Sequence, residues 1–250
     1  MVEPILTAEN VSVRFGDFEA LSGMSISVLP HTIHALIGPN GAGKTTFFNA
    51  LSGVRPPDSG RIAFNGRVLT RASAHSRVRY GMARSFQVTN IYQNLDVAEN
   101  VRLAVQAARG AEGWVFWRSP STRHDNAREV EEILSLAGVA DRAATRAGDL
   151  SHAAQRSLEI GMALAGRPKL ICLDEPLAGM GIDDVHRAKE LIVGLKARMA
   201  VLLIEHNMGV VLSISDRVTV MARGRKIAED APDAIRSNSA VRAAYLGSQA

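Results

Sequence analysis

The run Gly38-Pro39-Asn40-Gly41-Ala42-Gly43-Lys44-Thr45 has the residue types and spacing of a loop that wraps phosphate. Its glycines let the main chain approach a ligand closely, so that backbone N–H groups can point at phosphate oxygens. Lys44 adds a point charge for the outer phosphates, and Thr45 adds a hydroxyl suited to a magnesium ion. The short apolar run His34-Ala35-Leu36-Ile37 leads into the loop, and Thr46-Phe47-Phe48-Asn49-Ala50-Leu51 starts a helix behind it. The N-terminus of that helix adds positive potential. A second apolar run, Leu170-Ile171-Cys172-Leu173, delivers Asp174 and Glu175 at its C-terminal end, where open α/β sheets bind ligands. Asp174 can hold the metal, directly or through water, and Glu175 is placed to polarise an attacking water. Cys172, the single cysteine, reads as an inert packing residue of that strand.

A scaffold of strands and helices must position these groups. Leu6 to Phe15 and Met24 to Leu29 show the partial alternation of strands, and Arg61-Ile62-Ala63-Phe64 before Asn65-Gly66 predicts a strand entering a hairpin. The character changes at Asp96. Asp96 to Ala108 has no glycine or proline, and Val97, Val101, Ala104 and Val105 fall at helical spacing. A loop with Gly110, Gly113 and Pro120 carries Trp114, Phe116 and Trp117; helices are predicted over about Asp125 to Ala137 and Ser151 to Ala165. Alternation then returns, with a strand at Leu170, a helix from about Asp183 and a strand over Ala200 to Ile204. This order predicts an α/β core with a helical subdomain inserted between about Val88 and Gly166.

With 250 residues, 46% of them hydrophobic, the chain can bury the core of one large domain, or of a domain plus a subdomain. That composition excludes collagenous, disordered and disulfide-stapled chains, and a lone cysteine suits a reducing compartment. Glu3 stands where a signal peptide wants positive charge. The runs Met199 to Ile204 and Met208 to Ile214 fall well short of the roughly 20 apolar residues needed to span a bilayer. A role at a membrane therefore requires docking on another chain. The net charge of +4 is too mild to indicate nucleic acid. Arg55, Arg61, Arg67, Arg71, Arg77, Arg79 and Arg84 face only Asp58 in their stretch, and no aromatic residues interleave with them as in a single-strand binder. They read as a solvated arginine surface, with an acidic partner or phosphate as the functional alternative.

The phosphate loop, the triplet Asp174-Glu175-Pro176 and His206 in Ile204-Glu205-His206-Asn207 together resemble the ATP-binding-cassette ATPases, in motif order and spacing, along essentially the whole chain. The resemblance implies an α/β fold: a P-loop NTPase core, an N-terminal antiparallel β subdomain and an inserted α-helical subdomain. Residues 1–87 and 167–250 would form the nucleotide-binding core and residues 88–166 the helical subdomain. It implies ATP and Mg2+, with Gly38, Pro39, Asn40, Gly41, Ala42, Gly43, Lys44, Thr45 and Thr46 around the nucleotide. Thr45, Gln87 and Asp174 would sit at the metal, and Glu175, His206 and Gln87 would form the catalytic set. Phe15 falls where the family stacks an aromatic ring on adenine; a core aromatic at a strand end is the alternative. Gln87, in Arg84-Ser85-Phe86-Gln87, matches the loop by which the family relays nucleotide state to a membrane subunit. His31, His34, His75, His124 and His186 carry no such spacing and are given no role.

One motif departs from the family. Leu150-Ser151-His152-Ala153-Ala154 occupies the place of the signature LSGGQ, which in a head-to-tail pair closes over nucleotide held by the other domain. Ser151 is retained and suits a helix N-cap. His152 replaces the first glycine. Ala153 replaces the second, where a methyl can crowd the γ-phosphate or forbid a positive φ. Ala154 loses the glutamine side chain. Ser151 and Ala153 would thus face the partner's nucleotide, and the expectation is pairing with a different ATPase chain to give two unequal sites, a homodimer being the alternative. Ala83 to Gln87, Leu158 to Met162, Asp174 to Met180 and Ala244 to Gly247 resemble the ATPase subunits of branched-chain amino acid and urea/amide importers. Gly181 stands where many members carry an aspartate. The implied role is ATP hydrolysis at the cytoplasmic face of a membrane, on permease subunits, with a solute-binding protein as an indirect partner and no nucleic acid. The rival is a nucleotide-binding regulator with weak or no hydrolysis. The loop Trp114 to Arg118 reads as a permease contact or as local packing.

Overall fold

The protein is described by a computed structural model covering residues 2–85, 91–109 and 120–246. Alternation in the first strand, β1 (Leu6–Phe15), turns Leu6, Ala8, Val11 and Val13 inward. It pairs antiparallel with β2 (Phe18–Val28) and with β4 (Ser59–Phe64), and the Asn65-Gly66 turn returns the chain as the two-residue β5 (Arg67–Val68). The resulting sheet has the order β2-β1-β4-β5.

The second sheet has the order β10-β9-β3-β8-β7-β6. Its centre is parallel: β3 (Ile33–Ile37) lies between β8 (Ala200–Ile204) and β9 (Arg217–Ala222), and β7 (Leu170–Asp174) lies between β8 and β6 (Met82–Arg84). At one edge β10 (Arg225–Asp230) pairs antiparallel with β9. Every residue of β3, β7 and β8 is buried, because both faces are covered, and this is why these strands read as unbroken apolar runs. Leu170, Cys172, Leu202 and Ile204 pack with Phe47, Phe48 and Leu51 of α1 (Lys44–Ser52) and with the first sheet. Ile171, Leu173, Val201 and Leu203 pack on the other side with α5 (His152–Leu164) and α6 (Ile182–Leu195). A separate apolar cluster joins α3 (Val97–Ala108), α4 (Pro120–Leu136) and α5 through Val97, Val101, Val105, Ile133, Leu134 and Leu158. The remaining helices are α2 (Ala74–Arg79), α7 (Met208–Ile214), α8 (Pro232–Ser237) and α9 (Ser239–Leu246). The last three cover the sheet at Ala35, Ile37, Val218 and Val220.

The predicted strands and helices are present, with two shifts in extent. β2 begins at Phe18, six residues before Met24, and α4 begins at Pro120, a residue well suited to a first helical turn. The arginine stretch needs a larger correction. Arg61, Arg67, Arg71 and Arg79 are exposed as expected, but Arg77 is 1% exposed. Its guanidinium donates to the carbonyls of Ala50, Leu51, Leu69 and Ala72. A helix leaves its last carbonyls without partners, and Arg77 supplies them for α1. Burial pulls the Arg77 pKa down to about 10. Arg55 is half-buried, with its guanidinium 4.1 Å from the Phe15 ring centre. Gln87 and the Trp114 to Arg118 loop lie outside the described residues.

Candidate functional site

The phosphate loop joins β3 to α1. Gly38, its first residue, is pressed against β9: a Cβ there would stand 2.3 Å from the Met221 carbonyl oxygen. Gly43 caps α1 with φ 98°, a left-handed conformation that glycine adopts without a Cβ penalty. The Gly224 N–H donates to the Ala42 carbonyl (3.0 Å), and the Ser22 N–H donates to the Gly224 carbonyl (2.9 Å). The β9–β10 turn thereby moors the loop to β2. The chain end reaches it as well: Tyr245 on α9 lies with its hydroxyl at the Gly38 backbone, and burial pushes the phenol up to about 12.

Lys44 is buried and folds back over the loop, donating to the carbonyls of Gly38 (2.7 Å) and Pro39 (3.1 Å). Burial lowers its pKa, while the nearby charges of Glu175 and Asp174 oppose that shift. A cation so placed can transfer to phosphate oxygens at the same loop, exchanging carbonyl partners for charged ones. Thr45, next in the first turn of α1, is exposed.

Asp174 ends β7, one strand removed from β3 across β8. Its side chain is 2% exposed, and Arg84 at the end of β6 approaches it to 3.4 Å. Arg84 also donates to Asn49 Oδ1 (2.7 Å) and Ser52 Oγ (2.8 Å) of α1, and its guanidinium lies 4.5 Å from the Phe48 ring centre. From the other side Arg156 of α5 donates to the Asp174 carbonyl (3.1 Å). Burial raises the Asp174 pKa and Arg84 works against it. The chain then turns sharply. Glu175 has φ 47°, a conformation that costs a non-glycine residue about 1–3 kcal/mol and must be held by its surroundings. Its N–H donates to the Ile204 carbonyl of β8 (2.9 Å), and its Oε1 stands 3.9 Å from Nδ1 of His206. His206 is exposed, while Glu205 beside it is 1% exposed.

The structure thus brings Lys44, Asp174, Glu175 and His206 to one end of the parallel sheet. Phe15 stands at the hairpin of the other sheet, exposed, with Arg55 over one ring face; it is not the core residue that its strand-end position allowed. Ser151 caps α5, its hydroxyl accepting from the Ala154 N–H (3.3 Å), and Ala153 lies in the first helical turn. Ser151 and Ala153 line a groove shared with Asp184 and Arg187 of α6. Cys172 is fully buried with its thiol pushed up to about 12, as befits an inert packing residue.

Residues 21–178 match the ABC transporter family, and residues 225–250 match the branched-chain amino acid ATP-binding cassette transporter family. The chain belongs to the ABC transporter family. It is 34% identical to the high-affinity branched-chain amino acid transport ATP-binding protein BraF of Pseudomonas aeruginosa, over 99% of both chains. It is 34% identical to the high-affinity branched-chain amino acid transport ATP-binding protein LivG of Escherichia coli K12, again over 99% of both chains. Among solved structures, the ADP conformation of MJ1267, an ATP-binding cassette of an ABC transporter, aligns with TM-score 0.84 at 30% identity, covering 98% of this chain and 100% of that one.

For this member of the ABC transporter family, the reading of the signature segment is corrected as well. Ala153 has no positive φ, since it is an ordinary helical residue of α5, so its methyl carries no conformational penalty. Residues that sequence reasoning left without a role are Arg156, Glu205 and the Arg223-Gly224 turn, while Arg84, read there as solvated surface, is instead largely buried against Asp174 and α1. Arg84 and Glu205 stood inside quoted motifs, and Glu205 repeats the pattern of Asp174, a carboxylate at the end of an apolar strand. That repetition was the available signal.

Proposed function

We propose that this chain is the ATP-hydrolysing nucleotide-binding subunit of an importer for branched-chain amino acids or related small polar solutes. The observation that carries this reading is the convergence of the Lys44 loop, buried Asp174, and Glu175 beside His206 at one end of a parallel sheet. The full-length similarity to BraF and LivG supports the solute class. Residues 38–46 cradle the phosphates, and the exposed Phe15 ring offers a face to adenine. The donor set fits a hard cation: an exposed Thr45 hydroxyl and the Asp174 carboxylate, with Gln87 as a further ligand. A magnesium ion held there would neutralise charge on the outer phosphates. Glu175 orients the attacking water, His206 contacts the γ-phosphate, and Lys44 with the loop N–H groups stabilises charge developing in the transition state.

The working unit is a pair of cassettes seated on permease subunits at the cytoplasmic face of a membrane, with a solute-binding protein beyond them. Among the described residues no helix is long and apolar enough to cross a bilayer. Ile182, 91% exposed at the start of α6, is suited to burial against a second cassette. Residues 1–87 and 167–250 act as the nucleotide-binding core, and residues 88–166 as the helical subdomain that closure rotates. Because the departures lie in the His152 to Ala154 segment, the partner is a different chain with an intact signature, and hydrolysis is faster at the site built on this chain's phosphate loop.

Co-purification with the adjacent permease and ATPase chains, followed by Glu175→Gln, tests this. ATP turnover of the mixed complex is expected to fall by about 10²–10⁴-fold while nucleotide still binds. Unchanged turnover refutes the role of Glu175, and no turnover with or without permease in the wild type favours a regulator.

A further inference from the structure

Glu205 follows β8 and is 1% exposed. Since β7 and β8 run parallel with Asp174 opposite Ile204, Glu175 and Glu205 are the next residues of neighbouring strands. The two carboxylates are treated oppositely by the fold. The side chain of Glu175 is 32% exposed, whereas that of Glu205 is turned into the protein. There each of its oxygens takes one backbone donor: Oε1 accepts from the Leu177 N–H at 3.0 Å, and Oε2 accepts from the His206 N–H at 3.2 Å. Leu177 lies two residues past Glu175, on the far side of the left-handed turn. One carboxylate therefore bridges the segment that carries Glu175 and the segment that carries His206.

We propose that Glu205 is a positioning residue of the ATPase site, a clamp that holds the Glu175 turn and His206 in mutual register. A left-handed glutamate persists only where its surroundings over-determine it. The Glu175 N–H bond to Ile204 fixes one side of the turn, and the Leu177 N–H bond to Glu205 fixes the other. Because Oε2 is bound to the His206 backbone, a displacement of either segment strains the other. A carboxylate is the fitting group, since it offers two acceptors and no donor to two N–H groups. The clamp touches neither the phosphate loop nor Lys44, whose bonds run to Gly38 and Pro39. Its loss is therefore expected in the chemical step and not in nucleotide binding.

This inference rests on the proposed ATPase function, and the experiment separates the two. Wild type, Glu205→Gln and Glu205→Leu are compared in the assembled complex for kcat and for ATP affinity, and by hydrogen exchange of the 175–180 segment. Glutamine keeps the shape but turns an amide NH2 toward one of the two N–H groups; leucine removes both acceptors. Small misplacements of reacting groups cost about 100-fold, so kcat is expected to fall by about 100-fold in Glu205→Leu and less in Glu205→Gln. ATP affinity is expected to stay within about twofold, and exchange of the 175–180 segment to quicken in both variants, in the same order. Equal kcat in all three proteins, or a loss of kcat matched by a loss of ATP affinity, overturns the clamp. Should the wild type show no turnover, the ATPase reading fails; exchange still reports on the clamp, and unchanged exchange at 175–180 in Glu205→Leu overturns it independently.

Discussion

The C-terminal end of the parallel sheet and the start of α5, the two places proposed to meet nucleotide, are built differently. At the C-terminal end of the parallel sheet, charged groups are tied from several elements at once. Lys44 is bound to its own loop, Asp174 is held by Arg84 from β6 and Arg156 from α5, and Glu205 joins the turns after β7 and β8. At the start of α5 the polar atoms serve the helix itself. Ser151 caps it, and Gln155 braces the preceding loop by donating to the carbonyls of Ala147 (3.2 Å) and Leu150 (3.4 Å). The first end holds Lys44, Asp174 and Glu205 buried and bonded, with Glu175 and His206 reaching toward solvent beside them. The second presents an exposed, well-formed helix N-terminus that contributes backbone and shape. Substitutions that disable the first need not touch the second, and the alanines of the second leave the first intact.

The sharpest way to break this contrast is Arg84→Met. It leaves the buried Asp174 carboxylate without its cation and is expected to cost about 3 kcal/mol in urea unfolding, because an unpaired buried charge is expensive. It also removes two bonds to α1, so nucleotide affinity should fall with stability. Equal unfolding midpoints for wild type and variant would show that the sheet end is less tightly tied than its geometry states.

Acid provides a graded probe of the parallel sheet from its opposite end. His34 on β3 is buried, shares a 2.8 Å hydrogen bond with Thr219 Oγ1, and burial pulls its pKa from 6.5 to about 4. Between those values the unfolded chain takes up a proton that the folded chain refuses. Stability therefore falls as pH drops below about 6.5, by about 2 kcal/mol between pH 7 and pH 5. The difference between wild type and His34→Asn in urea midpoint over that range isolates this histidine. Exchange protection of the β3 amides, corrected for the intrinsic pH dependence of exchange, should fall with acid before that of α5.

The smallest effect belongs to the signature end. Ala153→Gly restores the family glycine in a helical position, so it is expected to lower stability by about 0.5–1 kcal/mol. A modest rise in turnover at the partner's site should accompany that loss. If thermal melting shows stabilisation instead, Ala153 is not the ordinary helical residue described above.

Much of this was legible in the chain. The phosphate loop and the Asp174-Glu175 strand end are contiguous patterns, each explained by local chemistry, and the fully buried strands declared themselves as apolar runs. What was not legible depends on neighbours distant in sequence. Arg77 looks like its exposed neighbours Arg71 and Arg79, and only the fold places it under α1. Arg84 meets Asp174, 90 residues away, because β6 and β7 are adjacent. Phe15 could have been core or surface, and pairing of β1 with β2 and β4 left it at an exposed hairpin end. Pattern reveals groups that act alone or within one turn, and it misses those defined by whom they meet.

Arg77 also shapes the field at the opposite end of α1. The aligned peptide dipoles of a helix leave about half a positive charge at its N-terminus and half a negative charge at its C-terminus. The guanidinium sits against the Ala50 and Leu51 carbonyls, so the negative pole is neutralised by a fixed cation inside the protein. The positive pole, at Lys44 and Thr45, faces the phosphate loop with no acidic residue in the first turn of α1. A residue that resembles surface charge in the sequence thus turns the helix into a one-sided electrode, with its open end directed at anions.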